Sequence, residues 1–217
     1  MVAISRKIGV VDEVWQMEFD KTPMPSPYND LPFLIFEELV PKDECKQVIE
    51  SFKESDFKAR LRGGGLDESI RKTTLLEVTS KAREVFEGAI QKVKEQIERF
   101  YNLSLFGGSQ IQALYYKDGG FYRCHADNAS KLEKDGALVG YKVIAPKRKV
   151  TTLLFLNEDF EGGELEFCHL RYFNGSKVVI KPKVGALVAF ASHPIFAHEV
   201  KPVKGRRYAL VKWWEGF

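Results

Sequence analysis

Helix-spaced apolar stripes mark the first half of the chain, and short β-type runs separated by turn residues mark the second. Pro41 with Asp43 and Glu44 is a helix start, since the first turn leaves its N–H groups unpaired anyway and favours negative charge. Cys45, Val48, Ile49 and Phe52 then recur at helical spacing. A second helix is predicted from about Ser80 to Tyr101, with Phe86, Ile90, Val93, Ile97 and Phe100 on one stripe. Its other face carries Lys92, Lys94, Glu95, Glu98 and Arg99 and is read as solvated. After Gly108 come SQIQALYY, GGFYRCHAD, KVTTLLFL, GGELEFCHL, KVVIKP, ALVAFAS, FAHEV and RRYALVKWW. Short strands at this density predict a sandwich or barrel rather than βαβ units.

The fold class is therefore mainly β with supporting helices (α+β). Residues 1–30 read as a peripheral N-terminal segment, with a strand at Ile8–Phe19 leading into the irregular connector TPMPSPYND. Residues 31–217 read as a single domain, with helical support over 31–108 and the β core over 109–217. The glycines of ARLRGGGLDES lack the Gly-Lys-Ser/Thr of a phosphate loop and predict a flexible surface loop. Residues 129–149 show no clear pattern and end in PKRK; with 58–72 they form two long loops, candidates for a lid or substrate groove.

Composition narrows the class a little. A formal net charge of +3 gives no argument for a nucleic-acid partner, and no apolar run is long enough to span a bilayer. The N-terminus lacks the apolar stretch and cleavage site of a secretory leader, and Cys45, Cys124 and Cys168 are scattered and odd in number. Reduced thiols and a cytoplasmic location are the expectation.

The chemistry concentrates around His125-Ala126-Asp127. On a strand, residues i and i+2 share a face, so both side chains can converge on one ion. His198 is the third candidate ligand, and His193, before a proline in a predicted turn, is its weaker rival. Two imidazoles and a carboxylate leave open positions on a metal, as in non-haem Fe(II) oxygenases; a zinc hydrolase uses the same ligand types.

The setting of these residues is more specific. Gln112, Tyr116, Gly119, Tyr122, His125 and Asp127 resemble the YxxGxxYxxHxD signature of prolyl 4-hydroxylases. KVTTLLFLNEDFEGGELEF resembles the segment that follows there, and HEVKPVKGRRYALVKWW resembles the closing segment, nearest to that of the hypoxia-sensing prolyl hydroxylases. The resemblance covers about Gln110 to Trp214. It implies a double-stranded β-helix (jelly-roll) core and an enzyme dependent on Fe(II), 2-oxoglutarate and O2, with ascorbate as an accessory reductant. It implies that His125, Asp127 and His198 bind the metal, and that Arg207, nine residues after His198, grips the distal carboxylate of 2-oxoglutarate. A guanidinium suits that task because it makes two-pronged contacts. Arg206 would face the other way, while Tyr116 and Thr151 are the implied hydroxyl donors, with Thr152 adjacent. Phe155 stands where the family often has tyrosine, so Tyr116 would carry more of the work.

The implied reaction is hydroxylation of a C–H bond with release of succinate and CO2. The substrate expected is a prolyl residue in a peptide or protein, and the alternative is a free amino acid or small metabolite. A nucleic-acid demethylase would have arginine at Trp213, and a halogenase would lack Asp127. A non-catalytic jelly-roll binding module has no need of the triad and Arg207 together. Trp213 lies on the Arg207 face of the last strand, as a wall of the site or a core aromatic. His169, Cys124 and Glu164 read as structural, Arg71 as a surface residue within reach of substrate, and PKRK as solvated loop.

Overall fold

The computed structural model describes residues 1–52 and 67–217. In chain order the elements are β1 (Val2–Ala3), β2 (Ile8–Val10), α1 (Asp12–Trp15), β3 (Leu34–Phe36), α2 (Lys42–Ser51), β4 (Arg71–Lys72), β5 (Thr74–Leu76) and α3 (Ser80–Tyr101). There follow β6 (Leu105–Phe106), β7 (Gln112–Tyr116), β8 (Phe121–His125), β9 (Ala129–Lys134), β10 (Ala137–Val143), β11 (Arg148–Phe155) and β12 (Glu161–Gly162). The chain closes with β13 (Leu165–Tyr172), β14 (Lys177–Ile180), β15 (Leu187–Ala191), β16 (His198–Val200), β17 (Val203–Lys204) and β18 (Arg207–Gly216).

Two seven-stranded antiparallel sheets form the jelly roll. The first has the order β1-β2-β13-β16-β8-β4 with β14 beside β13; the second is β3-β15-β11-β18-β7-β5 with β6 beside β18. Their inner faces are apolar, with Leu153, Phe155, Leu165, Phe167, Val188 and Phe190 buried. The long helix spans the predicted residues because its apolar stripe buries Ala82, Phe86, Ala89, Val93 and Ile97. Thr79 caps its start by accepting from the Ala82 amide, and Asn102 ends it in the left-handed region. Tyr101 donates its hydroxyl to the Ala189 carbonyl of β15, so the helix leans on the second sheet.

Three expectations change here. The N-terminal segment is not peripheral: β2 pairs with β13, and Ile4, Ile8, Val10 and Val14 are buried. Within Ile8–Phe19 only Ile8–Val10 is strand, and Asp12–Trp15 is a helical turn. Residues 129–149 are not a patternless loop but a hairpin, β9 against β10, followed by the start of β11. Of the other expected loop, 58–72, the part through residue 66 lies outside the described residues, and Arg71–Lys72 forms β4 on β8.

The cysteine expectation is corrected as well. Cys124 on β8 and Cys168 on β13 form a disulfide, leaving only Cys45 free and buried. The two strands flank β16, and the Cys168 amide donates to the Ala197 carbonyl, so the bridge lies beside the start of the His198 strand. The argument for a reducing compartment rested on three free thiols and loses its basis.

Candidate metal and oxoacid site

His125 and His198 are direct cross-strand partners on β8 and β16, with ring centroids 4.4 Å apart. Each fixes its ring through Nδ1: His125 against the Arg123 carbonyl at 2.9 Å, His198 against the Phe196 carbonyl at 3.0 Å. A carbonyl only accepts, so each Nδ1 carries the proton and each Nε2 keeps its lone pair for a metal. Burial and the neighbouring His198 hold the His125 pKa well below the ordinary histidine value, which keeps the ring neutral as a ligand must be.

Asp127 joins them by a route the sequence did not reveal. The strand ends at His125, so strand alternation is not what brings the carboxylate round. The chain bends instead toward the second sheet, where the Asn128 amide donates to the Ser192 carbonyl. Thr151 on β11 donates to Asp127 Oδ2 at 2.6 Å and is itself 2.9 Å from the Ser192 hydroxyl. Asp127 Oδ1 then lies 3.7 Å from His125 Nε2, and one donor atom from each of the three residues falls within 4.8 Å of the others. Two imidazole nitrogens and one carboxylate oxygen on one side fit a divalent first-row metal with positions left open.

His193 is not part of this cluster. Its ring is buried, faces the Pro23 carbonyl at 3.3 Å, and is pushed by burial to a pKa of about 4. His169 Nε2 shares a 2.6 Å hydrogen bond with the Tyr141 hydroxyl and braces β10 on β13. Among the described residues Glu164 contributes its backbone carbonyl, to the Lys201 amide.

The second half of the site belongs to the other sheet. Arg207 on β18 is 1% exposed, and none of its three guanidinium nitrogens has a hydrogen-bond partner among the described residues. Its charge centre sits 4.9 Å from the Tyr116 ring, its register partner on β7, and 5.3 Å from the Phe155 ring. Burial lowers its pKa from the usual arginine value. A buried guanidinium without an acceptor is costly, and a carboxylate supplies what is missing. Arg206, by contrast, is exposed. Gly163 permits the arrangement: at φ +66° any Cβ there would come within 2.9 Å of Arg207 Cδ.

Arg207 and the three candidate metal ligands line one cavity of about 980 Å³ between the sheets. Tyr116 and Thr151 line it too, while Thr152 faces away and accepts from Trp214 Nε1 at 2.9 Å. Thr151 therefore faces the cavity as expected, but its hydroxyl is engaged with the metal-binding carboxylate. Trp213 is a cavity wall, and the Arg148 guanidinium lies 4.3 Å over its ring. Arg148 corrects the reading of PKRK as solvated loop: its Nη1 donates to the Asp127 carbonyl at 2.8 Å. Strict alternation would have put Arg148 on the outer face with Val150 and Thr152. The register shift between Arg148 and Val150 is a bulge that turns it inward.

A jelly roll with two imidazoles and a carboxylate on one sheet, and an unsatisfied arginine facing them from the other, has the parts that a metal-dependent oxygenase with an acidic co-substrate requires. Comparison with known proteins points to the same chemistry. Residues 111–215 match the model of the 2OG-Fe(II) oxygenase superfamily. Enzymes of this class use Fe(II), 2-oxoglutarate and O2.

Among curated relatives, human prolyl 3-hydroxylase 2 is 41% identical over 70 residues, 30% of this chain and 9% of that protein. Human prolyl 3-hydroxylase 3 is 31% identical over 143 residues, 64% of this chain and 19% of that protein. The chain thus spans a tenth to a fifth of the length of these relatives. Among solved structures, a prolyl hydroxylase from Trichoplax adhaerens, in complex with a hypoxia inducible factor peptide fragment, superimposes with a TM-score of 0.65 at 21% identity. That match covers 84% of this chain and 83% of the other. A viral collagen prolyl hydroxylase from Paramecium Bursaria Chlorella virus-1 gives a TM-score of 0.58 at 20% identity, covering 84% and 94%. The likeness of these structures is one of fold.

Proposed function

We propose that this enzyme hydroxylates a prolyl residue within a polypeptide. The observation that carries the reading is the size and lining of the cavity. A five-carbon dicarboxylate between the metal ligands and Arg207 fills only part of about 980 Å³. The remainder is bounded by the side chains of Tyr122 and Trp213 and by β9. Aromatic-lined grooves suit proline in an extended chain, because the ring is flat, apolar and already ordered. The names of the curated relatives support the same substrate class.

The residues divide the work. His125, Asp127 and His198 would hold Fe(II), which when bound would supply the activation of O2 for oxidation of a C–H bond, with the oxoacid as co-reductant. Thr151 and Arg148 fix Asp127 from its side chain and its backbone, so the carboxylate does not drift when the site fills. Arg207 fixes the far end of the oxoacid and thereby orients its near end toward the metal. Phe190, Leu153, Leu165 and Val211 line the interior and keep water from it.

The test is succinate release and product mass with proline-containing peptides and with free L-proline. Peptides are expected to raise succinate well above the uncoupled level and gain one oxygen; free L-proline is expected to do so weakly. Efficient hydroxylation of free proline or another small metabolite, with peptides inert, overturns the polypeptide reading.

A further inference from the structure

We infer that the substrate carries a carboxylate next to the hydroxylated carbon and that Arg71 receives it. The inference rests on the prolyl reading above and adds the chemical class of the neighbouring group. Arg71 lies on β4, the edge strand paired with the metal strand β8, and its register partner is Tyr122. Its guanidinium sits 4.5 Å over the Tyr122 ring, and that ring stacks on His125 with centroids 3.5 Å apart. The cation is thus one aromatic layer away from the metal. It lines the same cavity as the ligands.

Arg71 makes no ion pair among the described residues, and its Nε is buried without a hydrogen-bond partner. The cations near it are differently placed. Arg123 donates Nε to the Ser69 carbonyl at 2.5 Å, and Lys131 shares the cavity wall with Glu133 and Glu199. Glu199 is already bridged by Lys201. Among the described residues Arg71 is therefore a cation without an ion pair on the β4 side of the cavity. The cavity has two guanidinium groups with donors left over among the described residues, all three nitrogens of Arg207 on the second sheet and the Nε of Arg71 on the first. The oxoacid satisfies one of them. A second anion is left to come from the substrate, and stacking on Tyr122 holds the guanidinium edge ready for two-pronged contact. A carboxylate there belongs either to an aspartate or glutamate flanking proline in a peptide, or to the α-carboxyl of a free amino acid.

The experiment uses the iron-loaded enzyme saturated with 2-oxoglutarate and a matched peptide set in which the residue flanking proline is Glu, Gln or Lys, with free L-proline alongside. Hydroxylation is followed by mass spectrometry, and peptide binding by fluorescence anisotropy. The Glu peptide is expected to have a KM and Kd at least about tenfold below those of the Gln peptide, as a hydrogen bond to a charged group implies. The preference should vanish in Arg71→Gln, persist in Arg71→Lys and turn toward the Lys peptide in Arg71→Glu. Because the Glu-to-Gln change is made in the peptide, the native protein alone already decides. Equal KM and Kd for Glu and Gln peptides overturn the inference while prolyl hydroxylation stands. If free L-proline outperforms every peptide and depends on Arg71, the carboxylate site is upheld and the polypeptide reading fails. If no proline compound is turned over, the prolyl reading fails. The Glu-over-Gln difference in anisotropy then decides for Arg71, and its absence overturns the inference.

Discussion

Replacing Arg207 by methionine should make the ligand-free protein more stable and the enzyme unable to hold its co-substrate. The side chain is 1% exposed and all three of its guanidinium nitrogens lack acceptors among the described residues. Leaving a buried polar group unsatisfied costs about 1–3 kcal/mol, and replacing a buried charge by an apolar residue of similar volume often stabilises a protein. For a chain of this length each kcal/mol moves Tm by about 2–4 °C, so the ligand-free variant should melt about 2–12 °C above the native protein. Saturation with 2-oxoglutarate at a hundredfold excess over Kd stabilises native protein by about 2.7 kcal/mol, a rise of about 5–11 °C. The variant should show at most about a third of that rise. Loss of a buried charged partner costs about 2–5 kcal/mol, which weakens oxoacid binding by at least about thirtyfold. The assay is differential scanning calorimetry of the metal-loaded protein with and without 2-oxoglutarate, with Arg206→Met as the exposed control. A ligand-free Tm below that of the native protein, or an equal response to 2-oxoglutarate in the variant, would refute the reasoning.

The remaining predictions concern the metal and the crosslink. Alanine at His125, Asp127 or His198 should abolish stoichiometric metal binding in calorimetric titration, whereas His193→Ala should keep the stoichiometry and lower Tm, because its ring is buried outside the cluster. Thr151→Val should keep the fold but lower metal affinity about 10–100-fold, as loss of a group orienting a ligand does; an unchanged Kd would show that the 2.6 Å contact does not hold Asp127 in place. Cys124→Ser should cost about 2–4 kcal/mol for a bridge spanning 44 residues, and thiol titration of unreduced, denatured native protein should find one thiol, Cys45. Three thiols before reduction would show that the bridge does not form.

What was legible in the sequence was periodic or charged at a fixed spacing. The stripe from Phe86 to Ile97 marks a helix because one face is buried and the other solvated, and no tertiary detail alters that. Arg207 and Arg206 separated correctly because β18 is regular, and the triad stood out because HxD and a later His are rare residues in a matching context. The features that escaped depend on irregularity or on contacts between distant segments. Arg148 was hidden by a bulge that breaks the parity argument, and Asp127 reaches the metal through a bend after its strand ends. The β9–β10 hairpin lacked a readable alternation because much of it is exposed, Leu132 and Val139 included. Its turn, Asp135-Gly136, with φ of +53° and +77°, is a local hairpin signal that was present and went unused. The Cys124–Cys168 bond required knowing that β8 and β13 flank the same strand, a fact of topology rather than pattern.

The division of the site between two sheets explains why the fold suits this chemistry. His125 and His198 are neighbours on the first sheet, so their separation is set by one cross-strand pair and changes little with anything else. Arg207 and Tyr116 are likewise a cross-strand pair, on the second sheet. The distance between the two pairs is the spacing of the packed sheets, about 10 Å in such sandwiches, and the large apolar side chains of the core hold it. A dicarboxylate that is to reach both a metal on one sheet and a guanidinium on the other is therefore selected by length as well as charge. Asp127 is the exception that joins the halves: it follows a strand of the first sheet but is held by Thr151 of the second. Any change that shifts one sheet against the other would be felt first at that hydrogen bond, and through it at the metal. The disulfide between β8 and β13 constrains the same region, since it ties together the two strands on either side of His198.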